Sequence, residues 1–361
     1  MKILITHASA GAGHTKAAEA IYNRLKEKGR DQLSLVDALD YTNDFYKKIY
    51  RAGYTLLITK LPWLWGFFFW VTAIPWLCPL VRFCRRFFNS LNAKRFHLYL
   101  EEEQFDFIVS THFFPNEIAS FLKKTNKIRS TIICVVTDYD VHNIWLAEAI
   151  DFYAVACEYT KQSLARLHVA SDKAVITGIP TDKKFAQTKD VRALKAKLGV
   201  KEGLFTVLIA TGSFGIGPIE EIVKELEEFQ VLVVCGRNKS LFQRLKRQNI
   251  PQAKIFGLVD NMHELMAVSD CMVTKPGGLS ISEALVSRLP LIFFNAIPGQ
   301  EENNVHVLNT YGIGINSHGH VDIIIEELKK LARSQSYFQH TKEKINHLAF
   351  PQAVDNIVKI I

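Results

Sequence analysis

The chain has 361 residues, of which 48% are hydrophobic and 22% are charged, and its formal net charge is +8. This length is enough for two domains of ordinary size, and the composition is that of a globular protein and excludes a low-complexity chain. The six cysteines are scattered among apolar neighbours without a CxxC pair or a Cys/His cluster. We therefore interpret them as reduced core thiols of a cytoplasmic protein rather than as disulfides or metal ligands.

The first predicted strand covers residues 2 to 8, and the glycine-rich turn Ser9–His14 leads from it into a helix. Because a strand pattern begins at Lys2, the sequence predicts no signal peptide. A glycine-rich turn between a first strand and a first helix favours phosphate binding, but GAGH lacks the full dinucleotide fingerprint. The turn alone therefore does not identify a ligand.

Residues 41 to 100 interrupt the alternation of strands and helices. They contain nine Lys/Arg and one acid, so this segment accounts for the whole net charge, and Leu61 to Val81 holds no charged residue. The length of the uncharged run fits a transmembrane helix, but its three prolines and many aromatic residues argue against one. We interpret the run as one or two amphipathic or re-entrant segments in the membrane interface.

In that interpretation, aromatic side chains lie at headgroup depth and basic side chains face anionic lipid. The residues assigned to this surface are Trp63, Trp65, Phe68, Trp70, Trp76, Arg82, Arg85 and Arg86. Nucleic acid is another partner for basic and aromatic residues, but the uncharged block offers nothing to a phosphate, so we expect no nucleic-acid binding. A buried structural hairpin stays open as the alternative.

The alternation of strands and helices then resumes and ends the first domain near residue 180. Predicted strands cover residues 105–110, 131–137, 151–156 and 174–180, and the segment from Thr111 to Pro115 is predicted as a loop. Asp138 and Asp140 follow the second of these strands. Residues 181 to 202 are charged, end near two glycines and predict a linker.

The second domain, residues 203 to 345, repeats the same pattern. A strand at 205–210 runs into a second glycine-rich loop that contains Gly212 and Ser213, and a helix is predicted at 219–229. Further strands are predicted at 231–235, 254–257 and 271–274, which together predict a parallel sheet. Glycines let the backbone approach a ligand, so this loop favours a diphosphate.

The stretch from Cys271 to Asn304 carries the most informative pattern. A short strand is followed by Lys275-Pro276-Gly277-Gly278 and then by a helical pattern. The free N–H groups and the dipole of a helix start favour an anion, and Glu283 is one turn further on, placed to accept hydrogen bonds from both ribose hydroxyls. Ser280 and Glu283 also fit a capping box that binds nothing.

The next strand and the loop after it favour the ligand-binding interpretation. Pro290 to Phe294 predicts a buried strand, and the ten residues from Asn295 to Asn304 include six amide or carboxylate side chains. Such groups could hydrogen-bond the hydroxyls of a sugar. The sequence therefore predicts a site for a sugar nucleotide.

The pattern KPGGLSISEAL followed by PGQEENN resembles the donor site of GT-B glycosyltransferases, and the resemblance covers nearly the whole chain. It is most similar to the monogalactosyldiacylglycerol synthases and the bacterial processive diacylglycerol glucosyltransferases. The resemblance implies an α/β fold with two Rossmann-like domains whose parallel sheets face each other across a cleft. It also implies that residues 346–361 form a last helix that crosses back to the N-terminal domain.

The same resemblance implies an inverting transfer of glucose or galactose from UDP-glucose or UDP-galactose to diacylglycerol or a glycosyldiacylglycerol. It implies no cofactor and no metal, and a peripheral, monotopic location on the cytoplasmic face of the membrane. The donor-binding residues that it implies are Gly13, Gly212, Ser213, Phe256, Val259, Lys275, Gly277, Gly278, Leu279, Ser280, Glu283, Gln300, Glu301 and Asn304.

The resemblance also implies roles in the first domain. His14 matches the catalytic base, and Asp138 matches a strand-end aspartate on the acceptor side. A histidine that only caps a helix is the alternative for His14, and ordinary turn residues are the alternative for Asp140 and His142. Asp138 and Asp140 form a DxD pattern, which binds metal in another glycosyltransferase fold, but here it ends a parallel strand and predicts no metal.

In the second domain, the segment from Phe256 to Met266 resembles the one that holds uracil through backbone groups. An ordinary strand-to-helix turn remains compatible with it.

Three other functions stay open at this point. The same family includes the N-acetylglucosaminyltransferase of peptidoglycan synthesis, so UDP-N-acetylglucosamine is a possible donor. A GT-B epimerase would need the same donor pocket without a membrane segment. A non-catalytic membrane-surface protein would need only residues 41 to 100 and would leave the donor motif and His14 unexplained.

Overall fold

Two runs of short apolar strands, each followed by a helix, build two parallel sheets. In the computed structural model, residues 1–210, 212, 215 and 217–361 are described. The first compact unit consists of Met1–Asp182, Ile297–Asn303 and Gln352–Ile361, and the second consists of Lys183–Ala296 and Asn304–Pro351.

The strands of the first unit are β1 (Ile3–His7), β2 (Leu33–Asp37), β3 (Phe107–Ser110), β4 (Thr131–Val135), β5 (Phe152–Val155) and β6 (Ala174–Ile176). Among the described residues they form one parallel sheet in the order β2-β1-β3-β4-β5-β6. Successive side chains point to opposite faces, so Ile3 and Ile5 enter one core and Leu4 enters the other. All of β1 is buried because helices cover both faces.

The helices before residue 183 are α1 (Ala12–Glu27), α2 (Asp44–Lys60), α3 (Pro62–Ala73), α4 (Cys78–Asn92), α5 (Lys94–Glu103), α6 (Phe113–Lys124) and α7 (Glu158–Arg166). Helix α1 buries Ala17, Ala18, Ile21 and Leu25 against the sheet. Short 3₁₀ helices cover Ala38–Tyr41, Pro75–Leu77, Asn143–Trp145 and Ser171–Lys173. Segments predicted as loops therefore include helical turns next to the strand ends.

Helices α2 to α5 form the segment from residue 41 to residue 100. Asn43 caps α2 by accepting a hydrogen bond from the backbone N–H of Tyr46 at 2.7 Å. Pro62 and Pro79 lie in the first turns of α3 and α4, where a missing N–H costs no helical hydrogen bond. The prolines thus divide the apolar run into short helices.

Within the described residues, no single helix has the length and apolarity needed to cross a membrane. Helices α2 and α3 satisfy that test only as a pair, and they are bent by 110° at Leu61.

The second unit contains β7 (Thr206–Ala210), β8 (Gln230–Val234), β9 (Ala253–Phe256), β10 (Cys271–Thr274), β11 (Leu291–Phe293) and β12 (Ile315–Asn316). In the described part of the chain these strands form a parallel sheet in the order β12-β11-β10-β7-β8-β9. The helices are α8 (Val191–Leu198), α9 (Ile219–Lys224), α10 (Lys239–Arg247), α11 (Met262–Ala267), α12 (Gly278–Val286), α13 (Gln300–Thr310), α14 (Val321–Arg333) and α15 (Gln335–Ile345).

The last helix, α16 (Ala353–Val358), belongs to the first unit. Its Ile357 packs in the core with Ala18 and Ile21 of α1. Arg24 donates two hydrogen bonds to the carboxylate of Asp355, at 2.9 and 3.0 Å. A core contact and a bidentate ion pair therefore hold α16 against α1.

The predicted α/β fold with two Rossmann-like, parallel-sheet domains is confirmed. Three details differ from the sequence predictions. The segment predicted as a linker contains α8 and is counted with the second unit, and α9 ends at Lys224 rather than at residue 229. The uncharged run from residue 61 to residue 81, predicted as one or two segments, contains α3, the 3₁₀ helix Pro75–Leu77 and the first residues of α4.

Candidate active site

In the first sheet, the order in which strands are added reverses at β1, because β2 lies on one side of β1 and β3 lies on the other. Parallel α/β sheets bind ligands in the crevice beyond the strand ends at such a switch point. His14 lies in the first turn of α1, directly after β1, and His112 is the N-cap residue of α6, directly after β3. The fold therefore brings two histidines together at the expected position.

The ring of His14 is held in one orientation. Its Nδ1 lies 2.7 Å from the carbonyl oxygen of Thr111 and 3.0 Å from the hydroxyl of Thr137. A carbonyl can only accept, so Nδ1 carries the proton and Nε2 keeps its lone pair. Among the described residues, none forms a hydrogen bond with Nε2. His14 therefore presents an unprotonated nitrogen.

Burial lowers the pKa of His14 from 6.5 to about 4, and the neighbouring His7 adds to this effect. The hydrogen bond to Thr111 opposes the shift but does not cancel it. At neutral pH the imidazole is therefore neutral and can take up a proton without losing one first.

His112 has the opposite tautomer. Its Nδ1 accepts a hydrogen bond from the backbone N–H of Phe114 at 3.0 Å, so its proton is on Nε2. The two histidine rings meet edge to face with centroids 4.6 Å apart. Burial and His14 hold the pKa of His112 well below 6.5, so this ring is also neutral. The site thus combines a proton acceptor with a neutral N–H donor.

Both histidines line a cavity of about 380 Å³ in the first unit. Its other walls come mainly from apolar and aromatic side chains of α2 and α3, among them Tyr54, Trp65 and Phe69. The indole of Trp65 packs edge to face on Tyr54, with centroids 5.6 Å apart. We name this space the acceptor cavity. It suits an apolar molecule that brings one polar group to His14.

Polar contacts fix α3 over the cavity. The Nδ1 of His142 accepts from the N–H of Ile144, so its Nε2 donates to the carbonyl of Phe69 at 2.9 Å. Asn143 donates to the carbonyl of Ala73 at 3.0 Å. His142 is therefore more than an ordinary turn residue, because it holds α3 in place.

Gly299 allows the backbone just before α13 to lie close to α3. Gly299 has a φ of +83°, and a Cβ there would lie 2.3 Å from the ring of Phe69. Any other residue would therefore be strained and would push the helix away.

Two acids after β4 also reach the cavity. Gln300 donates hydrogen bonds to both carboxylate oxygens of Asp138, at 3.0 and 2.9 Å, and Asn303 donates to Asp140 at 3.1 Å. The sequence assigned Gln300 to the donor, whereas the structure counts it with the first unit beside Asp138. Gly13 and Glu301 also belong to the first unit, where Glu301 accepts from the N–H of Ile297.

The remaining predicted donor residues belong to the second unit. In the sheet of this unit the order in which strands are added reverses at β7, which lies between β8 and β10, and Gly212 and Gly277 follow β7 and β10. A Cβ at either glycine would meet nothing within 4 Å, so the backbone there faces open space. Residues at the same strand-end edge are Phe256, Val259, Lys275, Gly278, Leu279 and Asn304. Ser213 lies outside the described residues.

The start of α12 distinguishes the two interpretations of Glu283. Gly277 is the N-cap residue and supplies no side-chain cap, and Ser280 lies inside the helix. The capping box considered for Ser280 and Glu283 is therefore not formed. Asn304 donates to the carbonyl of Pro276 at 3.1 Å and so ties α13 to the turn before α12.

The aromatic residues of α3 do not share one environment. Trp63 and Trp70 are exposed, at 66% and 55%, and Trp76 beyond the helix is 78% exposed. Phe68 is exposed and also lines the acceptor cavity, whereas Trp65 is half-buried in its wall. The prediction of a lipid-facing side chain thus fits the position of Trp63 and Trp70 better than that of Trp65.

The arginines of α4 are placed differently from the prediction. Arg85 forms an ion pair with Glu117, and Arg82 Nη1 and Arg86 Nη2 each lie 3.3 Å from Glu148 Oε1. All three side chains are partly buried. They pair with acids of the first unit, and the buried Glu117 in particular would otherwise lack a counter-ion.

Lys47 and Arg51 are likewise paired, with Asp40 and Asp37. The basic side chains of this segment that are exposed and form no ion pair within the described residues are Lys48, Lys60, Lys94 and Arg95. In the folded protein, four of the nine basic residues of this segment can therefore contact a partner at the surface.

In the described part of the chain, no group of three or more His, Cys, Asp or Glu side chains is arranged to hold a metal ion.

Two family models match the chain in sequence. Residues 14–181 match monogalactosyldiacylglycerol (MGDG) synthase, and residues 206–357 match the glycosyltransferase family 28 C-terminal domain. A processive diacylglycerol beta-glucosyltransferase of Bacillus pumilus is 30% identical over 372 residues, which cover 100% of this chain and 94% of that protein. The chain belongs to this glycosyltransferase family.

Further comparisons agree with this assignment. A processive diacylglycerol beta-glucosyltransferase of Bacillus cytotoxicus is 28% identical, covering 100% of this glycosyltransferase and 93% of its relative. MurG of Acinetobacter baumannii has a TM-score of 0.63 at 14% identity, and HepE of Anabaena, in complex with UDP, has one of 0.58 at 13%. Each alignment covers 100% of this chain and 99% of the other. At these identities the likeness concerns the fold, and the predicted GT-B fold is confirmed.

Sequence reasoning missed two features of this glycosyltransferase. His112 was assigned to a loop, although a histidine just after a buried strand and two residues before a helix is a signal for a strand-end site. Tyr54 gave no signal, because only the bend between α2 and α3 brings it to Trp65 and the cavity.

Proposed function

We propose that this glycosyltransferase moves glucose from UDP-glucose to the free hydroxyl of diacylglycerol or of a glycosylated diacylglycerol. The observation that carries the proposal is the neutral His14, whose Nε2 has no partner among the described residues, at the end of an aromatic cavity. The names of the relatives favour glucose and a diacylglycerol acceptor. Galactose is the alternative hexose, favoured by the description of the N-terminal family model.

In the proposed reaction, the lipid hydroxyl oxygen attacks the anomeric carbon while its proton passes to Nε2 of His14. The bond between the anomeric carbon and the diphosphate breaks, and UDP leaves with the electron pair. UDP-glucose is α-linked, so a β-linked product, as in the names of the relatives, requires inversion at this carbon. One displacement with one base achieves this.

The start of α12 is proposed to hold the leaving diphosphate. Gly277 is the N-cap residue of α12 and a Cβ there would meet nothing within 4 Å, so an anion can approach the N–H groups of the first helical turn, where the helix dipole adds a positive potential. Lys275 and the loop of Gly212 lie at the same edge of the sheet. Such preorganised donors stabilise developing negative charge, a role that a metal ion performs in other enzymes.

Asp138 is proposed to act on the acceptor side. Its carboxylate is 6% exposed, lines the cavity and is oriented by both hydrogen bonds from Gln300. A carboxylate fixed in this way can accept a hydrogen bond from the acceptor and keep its hydroxyl near His14.

His112 is proposed to donate a hydrogen bond from Nε2 to an oxygen of the lipid acceptor. We expect His112→Asn to lower kcat/KM for the acceptor by roughly 2- to 10-fold, the contribution of one neutral hydrogen bond. Asparagine is a good N-cap, so the start of α6 should keep its cap and the melting temperature should change little. Steady-state kinetics with a varied lipid concentration measures this effect. Unchanged kcat/KM would mean that His112 only caps the helix.

Glu283 is proposed to accept hydrogen bonds from the ribose of UDP. We expect Glu283→Ala to weaken UDP binding by about 1.5–3 kcal/mol, or roughly 10- to 100-fold in Kd. Isothermal titration calorimetry with UDP measures the change. Glu326→Ala, which removes a carboxylate that is 69% exposed on α14, is the matched control and should bind UDP like the parent. A lowered melting temperature with unchanged UDP affinity would assign Glu283 a structural role.

We further propose that the protein attaches peripherally to the cytoplasmic face of the membrane through α2 to α4. Exposed apolar side chains are concentrated on these helices, including Trp63, Trp70, Trp76, Phe83 and Phe87. A concentration of exposed large apolar side chains marks an interaction site. Attachment there would place the acceptor cavity, built from the same helices, next to the lipid.

A donor panel tests the proposed reaction. Purified protein is incubated with liposomes that contain diacylglycerol and with radiolabelled UDP-glucose, UDP-galactose or UDP-N-acetylglucosamine. We expect label in the lipid phase with UDP-glucose. Label from UDP-N-acetylglucosamine alone, or its epimerisation without transfer, would replace the proposal by one of the other two donor-based functions.

A further inference from the structure

A second cavity, of about 340 Å³, lies in the first unit between α4, α5 and α6. Within the described residues it shares no lining residue with the acceptor cavity. Phe83 and Phe87 stand at its rim and are 67% and 54% exposed, so it opens onto the apolar surface of α4. Ile118 and Phe121 of α6 form an apolar wall inside it.

The inner end of this second cavity is polar and deeply buried. Glu117 is 3% exposed, and its Oε2 is paired with Arg85. Its Oε1 accepts no hydrogen bond from the described residues, and Arg86 Nε is 3.7 Å away. His97 Nε2 is also buried without a described partner, and Asn89 is 4% exposed. Buried polar atoms are normally hydrogen-bonded, so these atoms call for a ligand that supplies the partners.

The chemistry of these groups selects the ligand. Arg85 and Arg86 lie beside the carboxylate of Glu117 and compensate its charge, so the open positions call for hydrogen-bonding hydroxyls rather than for a further charged group. The single hydroxyl of diacylglycerol could satisfy only one of the polar groups, whereas a sugar offers several hydroxyls that both donate and accept. The volume is at the low end for sites that hold small molecules, so it fits a headgroup and leaves acyl chains to pass over the rim.

We propose that this cavity binds the sugar headgroup of a glycosylated diacylglycerol, as a second lipid site separate from the acceptor cavity. The acyl chains lie along Phe83 and Phe87 on the exposed surface, and the sugar hydroxyls reach Glu117 Oε1 and His97 Nε2. This site does not depend on the proposed reaction, since it requires neither a donor nor turnover.

Native mass spectrometry with dioctanoyl glucosylglycerol measures the number of lipid molecules bound to each protein. Ser90→Trp fills the second cavity from its rim, and Leu91→Trp is the matched control, since Leu91 is 61% exposed on the same helix and does not line it. Gly53→Phe fills the acceptor cavity, where a Cβ at Gly53 meets nothing within 4 Å. We expect two bound lipids for the parent and Leu91→Trp, and one for Ser90→Trp and Gly53→Phe. If Ser90→Trp binds as many lipids as Leu91→Trp, the proposal is overturned, whatever number the acceptor cavity holds.

Headgroup selectivity is tested with dioctanoylglycerol and dioctanoyl phosphatidylglycerol on Gly53→Phe, which keeps only the second cavity. We expect the glucosylated lipid to occupy it at least about tenfold more tightly than either, a difference of the size of one or two hydrogen bonds to a charged group. Glu117→Gln keeps the volume of the side chain and should remove most of this preference. Equal or tighter binding of the phosphatidylglycerol would overturn the assignment to a sugar headgroup. Melting temperatures show whether each variant is folded.

Discussion

Replacing His14 with alanine is expected to lower kcat for lipid glycosylation by about 10²- to 10⁴-fold, the usual contribution of a general base. The donor should still bind, because His14 belongs to the first unit and the predicted UDP contacts belong to the second. Initial rates with radiolabelled donor and calorimetry with UDP separate the two effects.

A second histidine serves as a control for the general-base role of His14. His347→Ala removes an exposed histidine of the second unit and should leave both measurements at the parental level. A loss of less than about tenfold is smaller than the contribution of a general base. If His14→Ala retains transfer within that range, His14 is a structural residue. A matched loss of UDP affinity would instead indicate a disturbed fold.

The pH dependence should show where the base titrates. His14 acts in its neutral form, so activity is present above its pKa and is lost as the pH falls through it. Because burial lowers this pKa from 6.5 to about 4, the acid limb of kcat/KM is expected near pH 4. An acid limb near pH 6.5 would contradict a buried base.

The same shift affects stability. The unfolded chain takes up a proton at His14 near pH 6.5, whereas the folded protein does so only near pH 4. The folded state therefore loses stability as the pH falls between these values. Circular dichroism at each pH is needed to separate unfolding from titration of the base.

Replacing Trp63, Trp70 and Trp76 with serine is expected to weaken liposome binding by roughly 3 kcal/mol in total, or on the order of 100-fold. Fully burying one large apolar side chain contributes about 1.5–3 kcal/mol, and each of these is only partly inserted. Sedimentation with neutral liposomes measures the apolar part alone. Leu204→Ser, an exposed apolar residue of the second unit, is the control and should bind like the parent.

Charge should add a salt-sensitive part to membrane binding. The four exposed and unpaired basic residues, at about 1 kcal/mol each near an anionic surface, would contribute up to roughly 4 kcal/mol at low salt. Binding of the parent to anionic liposomes should therefore fall with salt towards the value on neutral ones. A parent protein that stays in the supernatant at low salt would contradict membrane attachment through α2 to α4.

Much of the fold could be predicted because its signals are local. The alternation of apolar strands and helices gives two parallel sheets, and the predicted turn at Gly277-Gly278 leads from β10 into α12. His14 could be selected because it lies in the turn and helix start after the first strand and matches the catalytic histidine of the family that the chain resembles. The carboxyl ends of parallel strands meet at one edge, so residues after them come together whatever their distance in sequence.

Other features depend on contacts that no local pattern encodes. The three arginines of α4 have the pattern of a lipid-facing basic cluster, but each of them forms an ion pair with Glu117 or Glu148 of later segments. Trp65 looks like its exposed neighbours in sequence, yet the bend between α2 and α3 turns it into the cavity wall. Tertiary packing determines such partners, and the composition and periodicity of the sequence do not specify it.

The acceptor cavity is the centre of this account, and the Gly53→Phe variant tests it most directly. Gly53 lies within α2 and lines the cavity, and Ala52 is its exposed neighbour on the same helix, so Ala52→Phe is a matched control. The measurement is transfer from radiolabelled UDP-glucose to diacylglycerol, with UDP affinity determined in parallel.

Gly53→Phe is expected to lower transfer to below about one hundredth of the parental rate, because a blocked cavity removes the proximity of hydroxyl and base, which contributes up to about 7–11 kcal/mol. UDP affinity should stay within about twofold of the parent, and Ala52→Phe should be near-parental in both, since neither change touches the predicted diphosphate contacts. Parental transfer by Gly53→Phe, with the variant folded and binding UDP, would contradict the assignment of this cavity to the lipid acceptor.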